Sequence, residues 1–155
     1  MSPRKTLLVV WHSQGGGTQQ MLDAVLAGAS EAAETITLCV RPALEATPAD
    51  VLAADGLLLG TPENFGYMSG ALKYFFDRCY YPCLEHTPGR PYGVFIRAGN
   101  DGRGALASIE RIVTGLRWRE VAPPVVLAGE VTESGLAACR ELGATLAAGL
   151  EAGVF

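Results

Sequence analysis

The run Leu7-Leu8-Val9-Val10-Trp11, followed after His12 by Ser13-Gln14-Gly15-Gly16-Gly17-Thr18, decides how this chain folds. An unbroken apolar run leaves no polar face for water, so the strand must be covered on both sides. Buried parallel strands read this way. The glycine-rich break ends the strand, and Met21, Leu22, Val25 and Leu26 then recur at helical spacing to about Ser30. Strand, glycine turn and helix together make the opening of a βαβ unit.

The same rhythm continues outward. Thr35 to Val40 reads as a second strand, rich in β-branched residues. Thr47 and Pro48 supply the cap and first position of a short helix. Gly56 to Gly60 is a third buried strand, and Ser69 caps a helix from Gly70 to about Tyr81 that Pro82 stops. Tyr92 to Arg97 is a fourth strand. Ala105 to Leu116 is helical by the spacing of Leu106, Ile109, Ile112, Val113 and Leu116. Val125 to Ala128 is a fifth strand, and Thr132 to Leu150 an alanine-rich final helix. Each parallel crossover needs a covering helix, so this alternation predicts an α/β three-layer sandwich. Its five-stranded parallel sheet has order 2-1-3-4-5 with helices on both faces. Residues 1–155 are expected to form a single domain.

Composition narrows the function. With 155 residues, 49% apolar and 18% charged, the chain can bury a core and does not read as a disordered tail. A net charge of −4 disfavours nucleic acid as a partner. No stretch approaches the roughly 20 apolar residues that span a bilayer, so no membrane is expected. Met1-Ser2-Pro3-Arg4-Lys5 is basic, but the apolar run from Thr6 to Trp11 is too short for a secretion leader. Cys39, Cys79, Cys83 and Cys139 show no C-x-x-C pairing and read as free thiols of a cytoplasmic protein. Cys79 and Cys83 lie on one helix, yet with His12 and His86 elsewhere a zinc site is set aside and no metal is expected.

In open sheets of this order, ligands bind beyond the carboxyl ends of the strands, where the segments after strands one, three and four converge. Those three segments are the unusual ones. Ser13-Gln14-Gly15-Gly16-Gly17-Thr18 opens a helix, whose unpaired amides and close-approach glycines suit an anion, with Ser13 and Thr18 adding hydroxyls. No Lys or Arg lies in this loop and the P-loop pattern is absent, which suits a monophosphate held by dipoles and neutral donors. The alternative is a plain glycine turn. After strand three, Pro62-Glu63-Asn64-Phe65-Gly66-Tyr67 places aromatic side chains at the ligand edge, either covering something flat or sealing the sheet. After strand four, Ala98-Gly99-Asn100-Asp101-Gly102 offers bare backbone to the amide edge of a heterocycle.

With these residues in view, the chain resembles the flavodoxin-like FMN-binding family, in its branch of NAD(P)H-dependent FMN and quinone reductases. Ser13, Gly16 and Thr18 match the phosphate-loop pattern T/S-x-T-G-x-T. The stretch from Gly60 to Lys73 is similar to G-[ST]-P-x-x-x-G-x-[MP]-[ST]-x-x-[LM]-K. The resemblance implies that Ser13 to Thr18 hold the FMN phosphate, Pro62 to Tyr67 contact the isoalloxazine, and Ala98 to Gly102 border its pyrimidine edge. It also implies NADH or NADPH as donor, a small-molecule electron acceptor, and a homo-oligomer, dimer or tetramer. Gly15 departs from the pattern by replacing a hydroxyl, a loss of about 1 kcal/mol of hydrogen bonding. No catalytic acid or base is assigned, because the flavin N5 carries the chemistry.

Other residues read more plainly. Asp101 and Arg103 either orient a substrate or form an ordinary loop pair, His12 is structural, and Lys73, Asp77 and Arg78 form a solvated helix face. Tyr80, Tyr81 and Leu84 form an aromatic patch beside the site or an inter-subunit contact, with Tyr67 a further part of the flavin wall. A flavodoxin-type one-electron carrier and a non-flavin binding domain on the same fold are the competing functions. A net −4 is modest for a carrier that docks on basic partners. A phosphoacceptor receiver would need acids where Trp11-His12 and Gly60-Thr61 stand.

Overall fold

The computed structural model describes residues 4–155; Met1, Ser2 and Pro3, part of the basic start read above, lie outside them. Strand β1 (Thr6–Trp11) is an interior strand of the sheet, paired in parallel with β2 (Thr37–Pro42) on one side and β3 (Gly56–Asn64) on the other. Strand β3 pairs in turn with β5 (Pro91–Ala98), and the far edge is made by β6 (Arg119–Glu120) and β7 (Val125–Ala128), both parallel to β5. Counting the divided edge as one strand, this is the expected 2-1-3-4-5 order. Helices α1 (Gly17–Ala32) and α5 (Glu133–Ala152) cover one face. Helices α2 (Pro48–Ala53), α3 (Gly70–Cys83) and α4 (Arg103–Leu116) cover the other.

The apolar run of β1 divides itself between these layers. Leu7 and Val9 point to the α1–α5 side and Leu8 and Val10 to the α2–α3–α4 side, all without solvent exposure. Gly60 interrupts the bulk of β3 because the Phe95 ring fills the space a side chain there would take. Thr47 and Asp50 form a capping box on α2, which explains a helix of only six residues.

Three elements differ most from the expected bounds, and one strand is additional. Strand β2 starts at Thr37 rather than Thr35, because the Thr35 amide and hydroxyl donate to the Glu151 carboxylate (2.8 and 2.6 Å) and hold that segment against the end of α5. Helix α3 runs through Pro82 to Cys83. In the last turn a proline forfeits only its bond to the carbonyl four residues back. Strand β3 continues past Gly60 to Asn64 and folds back as β4 (Tyr67–Met68), so most of the expected loop is a β-hairpin. Strand β6 has no counterpart in the sequence reading.

Two side-chain readings also change. Lys73 and Asp77 pair on an exposed face, but Arg78 turns inward and donates to the carbonyls of Ala46 and Ala43 (2.6 and 2.8 Å). Tyr80 and Leu84 pack against the core rather than lying in a solvent patch, and of that group Tyr81 stands out at 80% exposure. Nor are they beside the carboxyl edge. Tyr81 lies roughly 16 Å along α3 from Gly70, toward the opposite end of the sheet.

Candidate functional site

At the carboxyl edge, the loop after β1 rises directly into α1. Gly16 is the N-cap, with φ 90°, a left-handed conformation that a β-branched residue would strain. Gly15 has no such requirement, and no atom lies within 4 Å of where a side chain on Gly15 or Gly16 would begin. The Ser13 hydroxyl accepts from the Gln19 amide (3.2 Å), taking the role of an internal cap. The amides of Gly15, Gly16, Gly17 and Thr18 find no acceptor among the described residues. Thr18 is 2% exposed, in the first turn of α1.

The hairpin forms the second wall. Glu63 pairs with Met68 and Asn64 with Tyr67, leaving Phe65-Gly66 as a two-residue turn. Both turn residues have positive φ, 53° at Phe65 and 70° at Gly66, the signature of a type I′ turn. A bulky aromatic in this conformation is strained, by roughly 1–2 kcal/mol relative to a residue at ease there. At the hairpin tip the Phe65 ring stands fully in solvent, beside a 40%-exposed Tyr67. Behind the hairpin the support is polar. The Thr61 hydroxyl accepts from the Ser69 amide (3.0 Å), and the Ser108 hydroxyl accepts from the Met68 amide (3.1 Å).

The third wall is the segment between β5 and α4. Gly99, Asn100 and Asp101 are exposed, and Gly99 has open space around it. Gly102 is the N-cap of α4 at φ 72°, and Asp101 accepts from the Arg103 amide (3.0 Å). Arg103 also pairs loosely with Asp101 at 3.9 Å, on the surface.

Side-chain bonds tie the three walls together. Asn64 donates to the Gln14 side chain (2.7 Å), and Glu63 accepts from the Ala105 amide in the first turn of α4 (3.1 Å). Gly104 and the Gly66 carbonyl approach so closely that any side chain on Gly104 would collide with it. Ser13, Gln14, Glu63 and Asn64 therefore spend their side chains on one another or on helix ends, and Gly15, Gly16 and Gly66 have open space around them.

One residue at this edge escaped the sequence reading. Arg97, next to last in β5, lays its side chain across the first turn of α1: a side chain on Gly17 would begin 3.0 Å from its Cγ and Nε. The third glycine of the loop is thus room for an arginine. Its Nε and the Trp11 indole N–H are buried donors without a partner, both at the carboxyl ends of central strands. The signal was present in sequence, because Arg97 is the charged residue that ends an otherwise apolar strand.

An open glycine concavity, free amides at a helix N-terminus, orphaned donors and an aromatic hairpin fit a flat ligand carrying an anionic tail, and FMN is such a ligand. The comparisons agree. The profile of the NADPH-dependent FMN reductase family matches residues 35–133, which include the hairpin and the segment after β5 but begin beyond the glycine loop. A flavodoxin of Aquifex aeolicus is 32% identical over 70% of this chain and 58% of its own length. An NAD(P)H dehydrogenase (quinone) of Acidithiobacillus ferrooxidans is 34% identical over 46% of each chain. The chain thus spans about half the length of these curated relatives. The WrbA-like flavodoxin of Agrobacterium tumefaciens superposes with a TM-score of 0.76 over 96% of this chain and 98% of that one, at 22% identity. With the sheet order, the hairpin stretch and a profile over more than half its length in agreement, the chain belongs to the NADPH-dependent FMN reductase family.

Proposed function

We propose that this protein is an FMN-dependent oxidoreductase that passes electrons from NADH or NADPH to quinones, free flavin or similar small acceptors. The observation that carries this reading is the tied edge itself. Gly15 to Thr18 carry amides with no acceptor among the described residues, Gly15 and Gly16 have open space around them, and a hairpin with an exposed aromatic tip is bonded to this loop. FMN bound there would supply a ring that accepts hydride at N5. Ser13 to Thr18 anchor its phosphate, Pro62 to Tyr67 flank its ring, and Ala98 to Gly102 present backbone to its amide edge. No side chain of the edge needs to move a proton, so the residues bind, orient and exclude water. Phe65 and Tyr67 leave room for a flat nicotinamide or quinone to stack.

Residues 1–155 serve as one domain in this reading. A homodimer would cover the exposed Phe65 and Tyr67, and the cytoplasm would keep Cys39, Cys79, Cys83 and Cys139 reduced, as the free thiols suggest. The likeness to the Aquifex flavodoxin favours a second reading, a one-electron carrier. Anaerobic titration separates them. Yellow protein that bleaches on addition of NADH or NADPH alone, and recovers with a quinone, is the expected result. Flavin that stays oxidised until a separate reductase is added would mark a carrier, and a protein that binds no FMN would overturn both.

A further inference from the structure

We propose that Arg97 supplies the positive charge of the phosphate site, from a strand rather than from the glycine loop. The inference rests on the FMN reading above and adds to it a residue outside every matched motif. The loop from Ser13 to Thr18 holds no cation. The fold brings one to it through the third dimension, because β5 ends beside α1 and Gly17 leaves the space.

The electrostatics of the pair call for an anion. A helix N-terminus carries about half a positive charge, and an arginine beside it adds a full one. The first turn of α1 has no acidic residue to offset them. The ion pairs among the described residues are Arg41–Asp50, Lys73–Asp77 and Arg103–Asp101, and Arg97 is in none of them. Its Nη1 donates to the carbonyl of its own neighbour, Ala98, and its Nε is buried with no acceptor. Nε–H is the one donor of this guanidinium that is both buried and unmatched among the described residues, and leaving a buried donor of a charged group without an acceptor is costly.

Positive helix end and guanidinium together carry roughly one and a half charges, close to the −1.5 to −2 of a phosphate monoester near neutral pH. A sugar hydroxyl or a neutral flavin ring could not offset them. The site is therefore built for the phosphorylated flavin over the unphosphorylated one, and for its dianion.

The test compares FMN with riboflavin on apoprotein by fluorescence quenching, in wild type, Arg97→Met and Arg97→Lys. Arg97→Met keeps length and apolar volume while removing the charge. It is expected to weaken FMN by roughly ten- to a hundred-fold and riboflavin by about twofold or less. Arg97→Lys should fall between, and inorganic phosphate should compete with FMN in wild type far better than in Arg97→Met. Thermal melts without flavin establish folding. If Arg97→Met does not fold, the FMN-to-riboflavin ratio of Arg97→Lys decides, together with the 31P resonance of bound FMN. A lowered ratio and a shifted resonance support the assignment. An unchanged ratio, or equal loss of both flavins, overturns the role of Arg97 while leaving the FMN site standing. Wild-type protein that binds the two flavins equally would instead remove the phosphate reading itself.

Discussion

Asn64 donates its side-chain amide to the side-chain oxygen of Gln14 across 2.7 Å, joining the aromatic hairpin to the glycine loop. This bond fixes the spacing of the two segments where they meet. Breaking it with Asn64→Ala or Gln14→Ala should weaken FMN two- to five-fold, on the order of 0.5–1 kcal/mol for an exposed hydrogen bond. The double variant should lose no more than either single one, because both remove the same bond. Calorimetric titration of the four proteins checks this, and additive losses would mean that the residues act separately.

The glycines of the loop are not equivalent. Gly15 has ordinary φ and open space, whereas Gly16 sits at φ 90°. Gly15→Thr should therefore fold normally and tighten FMN several-fold by returning a hydroxyl, about 1 kcal/mol. Gly16→Val should strain the N-cap by roughly 1–2 kcal/mol and weaken FMN. A Gly15→Thr affinity equal to wild type would mean that this position does not face the phosphate.

Phe65 trades stability for an exposed ring. Asn-Gly is the favoured pair for a type I′ turn, so Phe65→Asn should relieve the left-handed strain. The expected gain of about 1 kcal/mol raises Tm by about 2–4 °C in a chain of this size. The same change removes the ring at the hairpin tip, and flavin reduction by NAD(P)H should slow. A variant both less stable and fully active would show that the turn tolerates Phe65 at no cost.

Much of the fold was legible because β1, β3 and β5 are apolar on both faces and no helix could hide them. The cap at Thr47 was equally plain, since Pro48 and Asp50 follow at fixed offsets. The hairpin was not, because its tip places a phenylalanine where the turn rules ask for asparagine or glycine. Pro82 misled for a different reason: the rule that proline ends a helix weakens in the final turn, where few bonds remain to be lost. The edge stood out in the sequence as a candidate ligand site because of its three loops. Its internal ties were invisible, since Glu63 and Ala105, or Arg97 and Gly17, meet only once the sheet is wound.

Alkaline pH should destabilise the protein through its buried thiols. Burial pushes Cys79 from its ordinary 9.0 up to about 12, with Cys83 beside it adding to the shift, and pushes Cys139 up to about 11. Burial also raises Tyr92 from 10.0 to about 12, aided by Glu120. The folded protein keeps protons that the unfolded chain releases, so this stability is complete below pH 9 and drains away as pH rises toward 11–12. Urea midpoints should fall between pH 8 and 10, and less steeply in Cys139→Ala. A midpoint that is flat across that interval would contradict the burial of these groups.

Tyr67 and Tyr81 should separate cleanly when replaced one at a time. Tyr67 lies in β4, paired with Asn64 and 40% exposed at the ligand edge. Tyr81 stands against Tyr80 with ring centroids 5.2 Å apart in an edge arrangement, near the far end of α3. A ring that flanks a flavin contributes about 0.5–1.5 kcal/mol beyond its area, so Tyr67→Ala should lower both FMN affinity and hydride transfer several-fold. Tyr81→Ala should leave both within twofold, with self-association read by light scattering on the same samples. Loss of transfer in Tyr81→Ala that tracks a fall from dimer to monomer would tie the site to association and overturn this separation. Rapid-reaction traces of flavin reduction, taken with scattering at matched concentration, distinguish the outcomes.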